Sequence, residues 1–184
     1  MPVSASQLGA IGESLLFVYA TRGSDGELEF FPVAADDDGR DASVSRRGSV
    51  GSAFVQVKTT DGLDQGRYVR ARARFRHDQV PAHPAFLFVL LLVPTVAVER
   101  AWVVPGPDFA RLAYRYPAGP RHVQLIVTAR PDGEDRWTPY RLPPAELGSR
   151  LLRSLHTLER SRQLLLRDQL LPWAERAGQG TEGG

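Results

Sequence analysis

Residues 39–60 read GRDASVSRRGSVGSAFVQVKTT. Two runs in this stretch alternate, weakly over 41–47 and clearly over 52–60, and the turn at 46–51 between them holds two glycines. Alternation at period two marks a strand, and a short turn between two such runs folds them into an antiparallel pair. Gln56 and Lys58 stand two residues apart, so they share one face of the second strand. Val55 and Val57 point to the other face. Pairing across the turn brings Asp41, at the head of the first strand, toward the Gln56 face.

Working outward, residues 4–20 read as a helix. Ser4 or Ser6 can cap it, and Leu8, Ile11, Leu15, Leu16 and Tyr19 recur at helical spacing, with Glu13 among them. A turn at 21–26, a strand at 27–33 and an acidic loop at 34–39 lead into the quoted stretch, so the first three strands form an antiparallel meander. Residues 67–76 alternate strictly. Arg70, Arg72, Arg74 and Arg76 fall on one face; Val69, Ala71, Ala73 and Phe75 fall on the other. Residues 77–84 form a short irregular or helical link. The continuous apolar run at 86–93 predicts a central strand buried on both faces. A short strand at 101–104 follows, then a helix begun by Pro107 and running to about Tyr114. Strands at 122–129 and 137–142 are joined by a turn at 131–133. A long helix spans about 144–173, with Leu147, Leu151, Leu155, Leu158 and Leu165 on one side and Pro172 placed to end or kink it.

The expected fold is α/β or α+β: one mixed β-sheet flanked by helices, with a long C-terminal helix. Residues 1–176 make one domain, with a core at about 5–105 and further strands and helix at 120–173. Residues 177–184 read as a flexible tail. The 184 residues suit a single domain, and 42% hydrophobic content supports a packed core. The absence of cysteine excludes disulfides, thiolate nucleophiles and thiolate metal sites. The longest apolar run, 85–93, falls well short of the roughly 20 residues that a membrane helix needs. No basic n-region precedes the first apolar stretch, so the reading is a soluble cytoplasmic protein without membrane association.

A net charge of +2 does not itself announce a nucleic-acid partner. Placement says more. Four guanidiniums on one strand face repel one another, which makes a phosphate backbone attractive there, although the ordinary role of such a row is a solvated face. Arg46, Arg47 and Arg67 are candidates to extend the patch. Among 23 basic residues only Lys58 is lysine. Arginine is a poor substitute where a compact ammonium must sit beside a metal-bound water, so the lone lysine draws attention to its position. Asp41, Glu13 and the carbonyl of Gln56 offer hard oxygen ligands of the kind Mg²⁺ prefers. Such a metal stabilises charge on a phosphate and helps to generate hydroxide. A neighbouring ammonium positions or deprotonates the water, or stabilises the transition state.

Glu13 on a first helix, then Gly39-Arg40-Asp41, then Val55-Gln56-Val57-Lys58-Thr59-Thr60, resembles the PD-(D/E)XK nuclease superfamily. Within it the likeness is to the branch where glutamine replaces the second acid, as in Mrr-type restriction enzymes and small bacterial domains of unknown function. The resemblance covers residues 5–104, and residues 86–93, 101–105 and 108–109 share it. It implies a restriction-endonuclease-like fold and Mg²⁺- (or Mn²⁺-) dependent cleavage of DNA. It also implies Asp41 as the main metal ligand, Gln56 as a weaker second and the Val57 carbonyl as a third. Lys58 becomes the catalytic lysine and Glu13 an outer ligand or organiser. Asp38 rivals Asp41 for the aspartate role; Asp41 is preferred because alternating residues follow it directly. Asp36 and Asp37 read as a solvated loop.

Other readings remain beside this one. Gln56 and Lys58 can be the wet face of an edge strand. The fold can serve as a non-catalytic nucleic-acid-binding or regulatory module, resting on Arg70, Arg72, Arg74 and Arg76. The chain can also be a helix-mediated interaction protein, since Leu164, Leu165, Leu166, Leu170, Leu171 and Trp173 exceed what one small core needs and suit a homodimer. The four histidines, His77, His83, His122 and His156, lack metal-ligand spacing and read as surface residues. Trp102 and Trp137 read as core.

Overall fold

The first helix starts where its sequence says it must. Ser4 accepts the Gln7 N–H through its hydroxyl, and the Gln7 side chain accepts the Ser4 N–H in return. This reciprocal cap satisfies two donors that a helix start leaves orphaned. The computed structural model of the chain describes residues 3–33 and 39–178, with side chains as far as residue 163. Helix α1 spans Ala5–Arg22. Strands β1 (Leu28–Pro32), β2 (Ala42–Arg46), β3 (Ser52–Thr60), β4 (Val69–Arg76), β5 (Phe86–Leu92) and β6 (Arg100–Pro105) follow. Helix α2 is Gly106–Leu112. Strands β7 (Tyr114–Pro117), β8 (His122–Ala129) and β9 (Arg141–Leu142) precede helix α3, Leu147–Gly178.

Not one sheet but two form among the described residues. A six-stranded sheet runs β1-β2-β3-β5-β6-β9 and a three-stranded sheet runs β4-β8-β7. The larger sheet is mixed: β3 and β5 are parallel, while the other pairs are antiparallel. The chain leaves β3, crosses as β4 in the other sheet, and returns as β5. The reason lies in the alternation of β4. Its inner face, Val69, Ala71, Ala73 and Phe75, is buried, while its four arginines are exposed. A strand with one wet face cannot sit in the middle of a doubly covered sheet.

Strand β5 can, because all seven of its residues are buried. Leu87, Val89 and Leu91 enter a core shared with α1 and α3 through Leu16, Ala20, Leu147, Leu151 and Leu155. Phe86, Phe88, Leu90 and Leu92 enter a second core between the two sheets, with Trp102, Phe109 and Trp137. Phe88 stacks on Phe109 at 4.2 Å. Each fully buried Leu or Phe contributes roughly 1.5–3 kcal/mol, so this one strand anchors all three layers: helices, large sheet and small sheet.

Four other elements depart from the sequence expectation. Residues 137–142 are not a full strand. Trp137 is buried between the sheets, Thr138–Tyr140 is a 3-10 turn, and only Arg141–Leu142 pairs with β6. Asp135 imposes this path by accepting the Arg130 and Trp137 N–H groups at 2.6 and 2.7 Å. Helix α2 stops at Leu112, and Tyr114–Pro117 becomes β7, a strand that periodicity over four residues cannot reveal. Helix α3 begins after a 3-10 turn at Pro144–Glu146. It passes Pro172 and continues to Gly178; a proline removes one backbone bond of a 32-residue helix and leaves the others. The leucines and tryptophan from Leu164 onward lie outside the residues whose side chains are described. Asp36, Asp37 and Asp38 and the tail from residue 179 are outside the described residues altogether. No helix among the described residues is long and apolar enough to cross a membrane.

Candidate active site

Strand β2 begins at Ala42, which pairs with Val55. Beyond that point β3 continues as Gln56, Val57 and Lys58 with no further partner from β2. A strand residue directs its N–H and C=O toward the same neighbour, so both backbone groups of Val57 face the gap that β2 leaves. Asp41 fills it. Its N–H donates to the Val55 carbonyl at 2.9 Å, and its carboxylate Oδ2 accepts the Val57 N–H at 2.5 Å. Charge-assisted bonds of this kind are the stronger class, and this one fixes the carboxylate beside the Val57 edge.

Gln56 points the other way from Val57, into the space between the sheets. It is 3% exposed, and its Oε1 has no hydrogen-bond partner among the described residues. Leaving a buried acceptor unpaired costs about 1–3 kcal/mol. The chain at Gly39 passes directly over the amide. A Cβ there would lie 2.8 Å from Gln56 Nε2 and 3.1 Å from Phe75 Cε1, and its φ of +65° also favours glycine. Lys58 lies two residues along on the same face, half-buried, opposite Leu90 in the parallel register. The Arg40 guanidinium stacks over Phe54 at 4.3 Å, on that face too.

Helix α1 packs against the opposite face of β3. The contact is so close at Gly12 that a Cβ would fall 1.7 Å from Thr59 Oγ1. Glu13 follows Gly12 and is half-buried. The structure thus joins Asp41 to the Val57 backbone, sets Gln56 and Lys58 on one face, and carries Glu13 on the helix backing that strand. No cluster of three or more His, Asp or Glu that would hold a metal occurs among the described residues. Gly39 and Arg40 stood in the sequence only as the lead-in to Asp41. Their placement over Gln56 and Phe54 depends on a tertiary contact that no local pattern encodes.

The four arginines of β4 lie on the outer face of the small sheet, away from the core that receives Gln56. Arg70 pairs with Asp64 at 3.1 Å and Arg76 with Asp78 at 3.3 Å, both at the strand's ends. Arg74 donates to the Ala118 carbonyl at 3.2 Å. Arg46 and Arg47 do not extend this row. They belong to the hairpin end of the large sheet, where Arg46 pairs with Glu159 and Arg47 with Glu29. Trp102 and Trp137 are core residues, and His77, His83 and His156 are exposed. On helix α2, the Arg111 hydrogen bond holds the Asp108 carboxyl below its usual range.

Among solved structures, a bacterial homing endonuclease, I-Ssp6803I, superposes with a TM-score of 0.53 at 15% identity, over 86% of this chain and 98% of that one. The Holliday junction resolvase Hjc of Archaeoglobus fulgidus matches over 72% of this chain and 96% of its own, at 13% identity and a TM-score of 0.37. No protein-family model matches the chain, and no curated protein does. The likeness to the homing endonuclease is one of fold. The chain has a nuclease-like α+β fold, with a mixed sheet, flanking helices and a long C-terminal helix.

Proposed function

We propose that the protein is a metal-dependent DNA endonuclease of the PD-(D/E)XK superfamily, in the branch where glutamine takes the second acidic position. The observation that carries this reading is the buried Gln56 Oε1, which meets no donor among the described residues, on the strand whose next residue is held by the Asp41 carboxylate. A cation offsets the cost of that unpaired oxygen, and an all-oxygen donor set of low charge suits Mg²⁺ or Mn²⁺. Asp41, Gln56 and the Val57 carbonyl are the residues that would hold it. When bound, such an ion supplies charge neutralisation at the phosphate and a more acidic water.

The chain's own groups divide the remaining work. Lys58 presents an ammonium on the Gln56 face, where it orients the attacking water and stabilises charge on the phosphate oxygens. Gly39 keeps the Gln56 amide in place by passing over it without a side chain. Glu13 braces the site from α1. A homodimer through the far half of α3 supplies the second site that a double-strand break needs; truncation after Arg160 is expected to halve the mass seen by light scattering.

Plasmid cleavage in Mg²⁺ or Mn²⁺ tests the enzyme reading. Wild type is expected to nick or linearise the plasmid and Lys58→Ala to leave it intact. Equal inertness of both proteins toward duplex, single-stranded and branched DNA counts against an enzyme and favours a binding module.

A further inference from the structure

The outer face of the small sheet carries more than arginine. In its register Arg72 lies opposite Ile126 and Arg74 opposite Gln124, while on the far side of β8 Tyr114 lies opposite Ile126 and Tyr116 opposite Gln124. Two parallel rungs result: Arg72-Ile126-Tyr114 and Arg74-Gln124-Tyr116. Tyr114 and Tyr116 are 45% and 51% exposed, so both rings present aromatic surface to solvent. The guanidinium of Arg136 lies 4.2 Å over the Tyr114 ring and bonds its hydroxyl, which fixes that ring and adds a second flat, cationic surface to it. At the end of β7, Tyr116 also lines a cleft of about 410 Å³ together with His77, Arg115, Pro117 and Val123.

We infer that this face is a platform for a single nucleic-acid strand, with phosphates along Arg72 and Arg74 and unpaired bases on Tyr114 and Tyr116. It rests on the nuclease reading only for the choice of a nucleic acid as partner. Charge complementarity selects a polyanion: the acidic partners, Asp64 and Asp78, sit at the ends of the row, and the Arg72 side chain makes no hydrogen bond or ion pair among the described residues. The tyrosines select the single strand. Successive rungs are about 7 Å apart, roughly twice the ~3.4 Å between stacked bases of a duplex strand. A paired duplex hides its base faces, whereas an extended strand can lay one base on each ring. The platform also faces away from Asp41, Gln56 and Lys58, across the core between the sheets, which lie about 10 Å apart. A strand held there is therefore separate from the phosphodiester at the candidate active site.

Fluorescence anisotropy with the full chain in EDTA tests this, using a labelled oligothymidylate, the matching oligouridylate and a duplex of equal length. The expected result is single-strand binding at least tenfold tighter than duplex binding at equal salt. Combined Tyr114→Ala and Tyr116→Ala is expected to weaken the single strand about tenfold or more and leave the duplex unchanged, while Tyr116→Phe binds as wild type. Arg72→Ala with Arg74→Ala lowers the single-strand salt slope by roughly 0.7 per arginine. Thermal melts of each variant, expected to match wild type, separate lost contact from lost fold. Equal or tighter duplex binding, or tyrosine variants indistinguishable from wild type, overturns the platform. Either result leaves cleavage and its dependence on Lys58 untouched, so the two readings fail separately. The oligouridylate arm decides whether the strand's sugar matters.

Discussion

Strands β3 and β4 are neighbours in sequence, both alternate, and each gathers charged or amide side chains on one face. They use that alternation in opposite ways. Strand β4 turns its arginines to solvent and its small apolar residues inward, the arrangement that burial alone predicts. Strand β3 sends Val55 and Val57 into the core under the helices, yet its other face, with Gln56 and Lys58, looks toward the core between the sheets. A polar residue on a wet face needs no explanation. A buried amide oxygen without a partner does. The contrast separates a surface that binds by charge and area from a pocket that acts through a few fixed atoms.

The largest effect that breaks this contrast is expected at Lys58. Lys58→Ala lowers the cleavage rate by about 10²–10⁴-fold while thermal melting shifts little, since the ammonium is half-exposed. A rate within a factor of two of wild type makes the Gln56–Lys58 face of β3 an ordinary structural one. Next, Gly12→Ala drives a methyl group into Thr59 and lowers stability by about 1–3 kcal/mol in urea titrations; an unchanged midpoint means that α1 does not press on β3 as described. Gln56→Leu removes the unpaired oxygen. It is expected to raise metal-free stability by about 1 kcal/mol and to reduce cleavage sharply, the trade between stability and activity expected of a functional site. Loss of stability in this variant instead reveals a hidden donor for the amide. The smallest effect belongs to β4: Arg72→Ala changes stability by no more than about 0.5 kcal/mol, and weakened nucleic-acid binding is its only consequence.

Much of the fold is legible in the sequence because its strongest signals are local. The alternation of β3 and β4, the unbroken apolar run of β5 and the Ser4–Gln7 cap each determine an element from adjacent residues. The split into two sheets is not local. Nothing in residues 67–76 says whether β4 inserts beside β3 or crosses to another layer, and only the competition with the fully apolar β5 decides it. Strand β7 and the turn at Thr138–Tyr140 are short and are imposed by β8 and Asp135. In the candidate site, the spacing of Gln56 and Lys58 fixes a shared face. The burial of Gln56 beneath Gly39 and the Asp41 bond to Val57 are products of packing. The tyrosines of the small sheet gain meaning only from a register that places them level with Arg72 and Arg74.

The most direct measurement is a crystal of the wild-type chain soaked in Mn²⁺ and recorded for anomalous scattering. A peak is expected within coordination distance of the Asp41 carboxylate and Gln56 Oε1, absent in Asp41→Asn. A well-ordered site with no peak there, and with the Gln56 oxygen accepting a hydrogen bond from the protein, contradicts it.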